Sequence, residues 1–359
     1  MTNLVDQRLG NYRLLCLIGQ GGFADVYLGE HLHLGTRAAI KVLQMRVGKA
    51  NIEQFRTEAR TIANLVHPHI VRVLDFGVEQ DIPFLVMDYA PGGSLRQRCL
   101  EGTPLPATFI IAYTGQMADA LQYAHDQQYI HRDVKPENML LQNENSLLLS
   151  DFGLVKVAYH SNSYSTQGVA GTAAYIAPEQ IQGKAHPASD QYALGAIVYE
   201  WLSGAPPFQG SLMEIYGQHL HAPPPSLREK VPTISPATEK VVLTTLAKDP
   251  AQRFARIEEF ATALEQSYQT AEGDPLSIAG SGIRPALYLP ATQKAVEAGQ
   301  QPLYLPQRTP SQFSSPLLTQ KDSSYVPPLF HSSALRVSPI QRAKRAIDKF
   351  GFINIALIA

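Results

Sequence analysis

Eight consecutive residues, His131-Arg132-Asp133-Val134-Lys135-Pro136-Glu137-Asn138, and the tripeptide Asp151-Phe152-Gly153 shortly after them restrict this chain more than anything else in it. Two short apolar runs, residues 139–141 and 147–149, lie between them. Runs of that length separated by polar residues read as a two-stranded hairpin. The pattern is therefore loop, hairpin, loop, and the second loop carries a carboxylate back toward the first. Either tripeptide alone recurs by chance. Both in this register, with an amide at Asn138, place two acids and an amide in one neighbourhood, which suits holding a divalent cation and orienting a hydroxyl.

Residues 12–18 are rich in large apolar side chains and run into Gly19-Gln20-Gly21-Gly22-Phe23-Ala24-Asp25-Val26. A glycine-rich turn followed by Val26-Tyr27-Leu28 predicts strand, turn, strand, whereas a dinucleotide-binding unit would open a helix after its glycines. Such glycines let backbone N–H groups approach phosphate with no Cβ in the way, although a flexible hairpin tip is the plainer reading. Ala38-Ala39-Ile40-Lys41-Val42-Leu43 reads as a buried strand with one lysine, which at an edge would snorkel. Residues 54–66 carry Phe55, Ala59, Ile62, Ala63 and Val66 at helical spacing, with Glu58 facing inward and Glu53 a solvated first-turn acid. Pro68 ends that helix. The flanking His67 and His69 have no third ligand nearby, so zinc is not expected. Residues 71–76 and 84–89 read as strands; 108–127, a stretch opening at 189 and closing at 202, 241–248 and 257–264 read as helices.

These motifs together resemble the protein kinase family, in particular the eukaryotic-type serine/threonine kinases of bacteria, over residues 11–268. The resemblance implies a two-lobed α+β fold: an antiparallel β N-lobe with one main helix, and a mainly helical C-lobe. It implies that ATP lies under the glycine turn, against Ile18, Gly19, Gln20, Gly21, Gly22, Phe23, Ala24 and Val26. Family members usually have glycine where this chain has Ala24. Ala39, Met87 and Leu140 would border the base, with backbone groups of Asp88 and Ala90 bonding adenine. Lys41 would hold the α- and β-phosphates and pair with Glu58; Asn138 and Asp151 would hold Mg²⁺. Asp133 would accept or orient the acceptor hydroxyl, and Lys135 would meet the transferring phosphate.

The same resemblance makes residues 154–177 the activation segment, with Thr166 and Ser165 as phosphate acceptors and Arg132 as the cation that pairs with the phosphate. Thr172 would bond Asp133 and Lys135. His131 and Phe152 would align the site by packing, Asp190 would brace the catalytic-loop backbone, and Glu179 would pair with Arg253. The implied reaction is transfer of the γ-phosphate of ATP to serine or threonine hydroxyls of proteins, with activation-loop autophosphorylation, in bacterial-type signalling. One rival is a nucleotide-responsive scaffold without turnover, whose usual mark is loss of the lysine or of an acid; Lys41, Asp133 and Asp151 are all present. A second rival, a small-molecule phosphotransferase, is disfavoured by the full activation segment and its Ala177-Pro178-Glu179 closure.

The rest of the composition excludes rather than identifies. A net charge of −1 calls for no nucleic acid, and Cys16 and Cys99, the only two cysteines among 359 residues, suit a reduced cytoplasmic protein. The first ten residues contain no apolar signal core, so they are read as an N-terminal extension. Residues 269–340 are rich in Pro, Ser and Gln and read as a disordered linker, within which Pro285-Ala286-Leu287-Tyr288-Leu289-Pro290 is echoed by Pro302-Leu303-Tyr304-Leu305-Pro306. Residues 341–359 are basic and then apolar. Ten apolar residues fall short of the roughly 20 that span a bilayer, so weak membrane or partner contact is expected there. A transient dimer is expected for autophosphorylation.

Overall fold

Side chains along Arg37–Leu43 alternate between two environments, as a strand buried on both faces requires. Ala38, Ile40 and Val42 join Leu14, Tyr27, Phe84 and Val86 in one apolar cluster, while Leu43 joins Leu85 and Met87 in another. Lys41 falls on the second face, and that alternation aims it at the cleft. In this computed structural model, residues 4–22, 24–44, 56–57, 59–99, 102–152 and 173–272 are described. The chain divides into units Met1–Gln301 and Pro302–Ala359, and every described residue belongs to the first.

Strands β1 (Arg8–Leu9), β2 (Tyr12–Gln20), β3 (Ala24–His31), β4 (Arg37–Leu43), β5 (Val73–Glu79) and β6 (Ile82–Met87) form an antiparallel sheet in the order β1-β2-β3-β4-β6-β5. β5 and β6 are joined by Gln80 and Asp81, both at positive φ, 50° and 64°, the mirror-image turn that matches strand twist. Helical residues 59–63 follow β4 and bury Ala59 and Ile62. The strand expected over 71–76 begins later, at Val73. Ile70 and Val71 pair instead with Leu149, where Val71 N–H donates to the Leu149 carbonyl at 2.9 Å. That exchange ties the sheet's connection to the hairpin below it.

Below the sheet the chain is mainly helical. The elements are α1 (Leu95–Arg98), α2 (Ala107–Asp126), a hairpin of β7 (Met139–Asn143) and β8 (Ser146–Leu149), α3 (Pro178–Ile181), α4 (Pro187–Ser203), α5 (Leu212–His221), α6 (Leu227–Lys230), α7 (Pro236–Thr245) and α8 (Ile257–Glu272). α4 is buried almost all round, which marks it as the central helix of this half. Gly204 ends it in the left-handed conformation, φ 80°, that a C-terminal cap favours. α7 starts five residues before the apolar run at 241. Ser235 caps its amides and Pro236 supplies a preset φ, two signals that hydrophobic spacing does not register. The larger apolar cluster runs from Leu85 and Met87 through Leu149 and Phe152 to Met117, Leu194 and Phe260, so both halves share one core. No described helix is long and apolar enough to cross a membrane.

Candidate active site

The cleft between the sheet and the helical half is built from four pieces of chain. The first is the β2–β3 turn, where Gly19 pairs with Val26 and Gly21 N–H donates to the Ala24 carbonyl at 2.9 Å. Gln44 braces it by donating from Nε2 to the Gly21 carbonyl at 3.1 Å and to Asp25 Oδ1 at 3.0 Å. Ile18, Gln20 and Gly22 also lie on this turn and its flanks; Phe23 lies outside the described residues.

The second piece leaves the sheet at Met87, which is buried and pairs with both Ala39 and Val73. Asp88 N–H donates to the Arg72 carbonyl at 3.0 Å, and Ala90 is buried just beyond. The chain then lies against β7. Gly92 N–H donates to the Leu141 carbonyl at 2.9 Å, Leu141 N–H donates to the Gly93 carbonyl at 2.8 Å, and Leu140 bridges Ser94. A Cβ on Gly92 would stand 2.5 Å from Leu141, so only glycine permits this approach. The segment after Met87 and the first strand of the β7–β8 hairpin are thereby locked together.

The third piece is the loop from His131 to Asn138. Buried Asp190, near the start of α4, receives His131 N–H, Arg132 N–H and His125 Nε2, each at 2.8 Å. Those bonds hold Arg132 at φ 70°, a backbone conformation costing about 1–3 kcal/mol in a residue with a Cβ. Gln180 Nε2 donates to the Arg132 carbonyl at 2.6 Å. Arg132 Nε is buried and has no hydrogen-bond partner among the described residues. His131 is 1% exposed; its Nδ1 accepts from Asp133 N–H at 3.2 Å and its Nε2 donates to the Ser150 carbonyl at 2.8 Å. Its ring meets Phe152 edge-on, with centroids 4.5 Å apart. Lys135 Nζ lies 2.9 Å from Asp133 Oδ2. Pro136 opens a 3₁₀ turn that swings Asn138 back, and Asn138 Nδ2 donates to the Asp133 carbonyl at 2.8 Å and to its Oδ2 at 3.1 Å. With its N–H₂ so committed, the Asn138 amide can offer oxygen elsewhere.

The fourth piece is Asp151, just past β8. Ser150 N–H donates to the Asn138 carbonyl at 2.8 Å, which sets Asp151 beside Asn138. Its φ is 66°, and its Oδ1 accepts from Lys41 Nζ at 2.7 Å, across 110 residues of sequence. Burial raises the Asp151 pKa, but the Lys41 ammonium outweighs it, with help from His131 and Lys135, and holds the carboxyl below its usual range. It is therefore an anion at neutral pH. Asp151 and Asn138 are hard oxygen donors, the kind Mg²⁺ takes, and they fit that ion with phosphate oxygens and water completing its shell. Among the described residues no group of three His, Cys, Asp or Glu side chains gathers into a metal-binding cluster.

Lys41's expected partner Glu58 lies outside the described residues, and so do Ser165, Thr166 and Thr172. Farther from the cleft, Glu179 and Arg253 make a two-pronged pair at 2.8 and 2.9 Å, and the Arg253 side chain is fully buried. Sequence reasoning did not find His125 as a partner of Asp190, nor Gln180 on Arg132. Neither has a local signal, since the partners lie 65 and 48 residues away.

The Protein kinase domain family matches residues 12–268. Among curated proteins, the chain is 35% identical over 270 residues to serine/threonine-protein kinase PrkC of Bacillus subtilis, covering 74% of this chain and 42% of that one. It is 37% identical to serine/threonine-protein kinase Pkn1 of Myxococcus xanthus, covering 73% and 39%, and 37% identical to serine/threonine-protein kinase PknL of Mycobacterium tuberculosis, covering 70% and 63%. This chain's match thus takes in about two-fifths to three-fifths of those relatives' lengths. Fold, cleft and family match agree on the class. The chain belongs to the protein kinase family.

Proposed function

We propose that this chain is a serine/threonine protein kinase that transfers the γ-phosphate of ATP to hydroxyls on proteins. The observation that carries the proposal is the Lys41–Asp151 contact at 2.7 Å, made across the cleft beside an Asp133 fixed by Asn138 and Lys135. The names of the similar bacterial proteins support the same reading. Phosphoryl transfer asks the protein for alignment and charge more than for covalent chemistry. Lys41 takes the α- and β-phosphates and is steadied by Glu58. The glycine turn covers the phosphates with backbone N–H groups, and backbone groups of Asp88 and Ala90 take the adenine. Asn138 and Asp151 hold Mg²⁺, which when bound neutralises charge on the phosphate oxygens. Asp133 orients the acceptor hydroxyl and takes its proton, while Lys135 meets the phosphate in transit.

Arg132 serves regulation in this proposal. A buried guanidinium nitrogen without a hydrogen bond among the described residues suits a phosphate on Thr166 or Ser165, which would order the segment. Thr172 would bond Asp133 and Lys135 once that happens. Residues 11–268, with the end of α8 up to Glu272, form the catalytic domain, so the expected linker starts after that helix and not at 269. Residues 341–359 make a weak contact with membrane or partner, and a transient dimer passes phosphate between copies. The test is incubation with Mg·ATP and a pool of serine, threonine and tyrosine peptides, followed by phosphoamino-acid analysis and mass mapping of the chain itself. Phosphoserine and phosphothreonine in the pool, and phosphate within 153–172 of the chain, are expected. Phosphotyrosine alone, or no transfer, would contradict the proposal.

A further inference from the structure

A cavity of about 680 Å³ reaches the loop that carries Asp133 through Glu137 and is also lined by Arg96, Tyr175, Glu200, Gly204 and Pro206 among others. Glu137 belongs to the Asp133 loop itself, and Tyr175 stands two residues before the Ala177-Pro178-Glu179 closure. Glu137 is four residues from Asp133, at most about 14 Å along the chain, so residues flanking a hydroxyl presented to Asp133 can reach this cavity.

The cavity's charge is unusual. Arg96 projects from α1, whose Ser94/Gln97 capping box fixes it. Its Nε lies 3.2 Å from Glu137 Oε1 and its Nη1 2.8 Å from Glu200 Oε1. Its Nη2 donates to the Tyr175 hydroxyl, which in turn donates to Glu200 Oε2 at 2.5 Å. Burial works against the Arg96 charge, but Glu200, Tyr175 and Glu137 more than restore it and raise its pKa. Glu137 Oε2 is buried and accepts no hydrogen bond among the described residues.

Two carboxylates flanking a planar guanidinium are what a protein uses to grip an arginine side chain. Here the arginine comes from the chain itself. An arriving cation would have to displace Arg96 or approach it against like charge.

We propose that Arg96 is a specificity-determining residue that fills the Glu137–Glu200 pair from within, so that acceptor peptides are selected at this cavity without a basic residue. This deepens the serine/threonine kinase proposal and rests on it. Removing the Arg96 guanidinium uncovers an acidic subsite and turns the selection toward arginine.

The experiment uses the full chain and fluorescent serine peptides in which one arginine is walked through the four positions before the acceptor, beside an all-glutamine parent. Wild type, Arg96→Met and Arg96→Gln are compared by anisotropy for Kd and by phosphate incorporation for KM and kcat, with folding checked by each thermal transition. In wild type, arginine peptides and parent should differ by less than about twofold. In either variant, at least one arginine peptide should gain about tenfold over the parent, about 1.4 kcal/mol. The gain should vanish when Glu200→Gln is added. A tenfold arginine preference in wild type, an equal loss on every peptide in the variants, or failure of both variants to fold would overturn the proposal and leave Arg96 a structural brace. Phosphate incorporation into the parent by wild type tests the transferase activity separately; if it were nil, the anisotropy ratios would still decide the role of Arg96.

Discussion

Asp133→Asn is expected to lower kcat for phosphate transfer about 10³-fold, in the range lost when a positioned general base is removed. The substitution keeps the side chain's size. It takes away the anionic oxygen that Lys135 meets at 2.9 Å and that accepts from Asn138 at 3.1 Å, and with it the group that takes the acceptor's proton in the proposed reaction. Asp133 is not part of the Lys41–Asp151 pair, so ATP affinity should stay within about threefold of wild type, a loss confined to the transition state. Steady-state kinetics with a serine peptide and a direct ATP titration separate the two effects. A fall in kcat of less than tenfold, or an equal fall in ATP affinity, would remove Asp133 from its role.

Arg253→Met is expected to cost about 3–5 kcal/mol of stability, because it strands a carboxylate that the fold has buried. Glu179 is 8% exposed and takes three charge-assisted or hydroxyl hydrogen bonds, two from Arg253 and one from Ser189 Oγ at 2.7 Å. Arg253 Nη1 also donates to the Ala188 carbonyl at 2.7 Å, so one guanidinium fastens α3, the start of α4 and the turn after α7. Burial raises the Glu179 pKa, yet Arg253 and Ser189 outweigh it and leave the group below its ordinary 4.5. A carboxyl depressed in the folded state stabilises above its unfolded pKa, and that contribution is lost as pH falls through the folded value. The gap between wild type and variant should therefore be full near neutral pH and shrink below about pH 4.5. Denaturant melts across that range measure it, and a constant gap would show that the charge is not what Arg253 satisfies.

Local patterns in the sequence carried much of the architecture. The apolar run 38–43 predicted strand β4, and two short apolar runs predicted the β7–β8 hairpin between the catalytic loop and Asp151, because both features are set by neighbours a few residues apart; the direction of Lys41 was implied only by the family resemblance. What depends on distant partners was not legible. Val71 looks like the start of a strand, yet its N–H donates to the Leu149 carbonyl, 78 residues on, and only the folded chain brings that edge within reach. The Asp190–His125 contact and the Arg96 cluster are of the same kind. An arginine on a four-residue helix gives no sign that two glutamates 41 and 104 positions away will close on it. Strand and helix limits shifted for a simpler reason: turn geometry and caps, not hydrophobicity, decide where an element stops.

The central claim is that Lys41 and Asp151 act as one unit on a single bound nucleotide. It is tested most directly by Lys41→Met and Asp151→Asn, made singly and together, with kcat/KM for ATP as the readout. Each single change should lower it about 10²–10³-fold, and the double variant should fall no more than about tenfold below the worse single one, as for residues that share one task. A double variant whose loss equals the product of the two single losses, or single variants close to wild type, would contradict the claim.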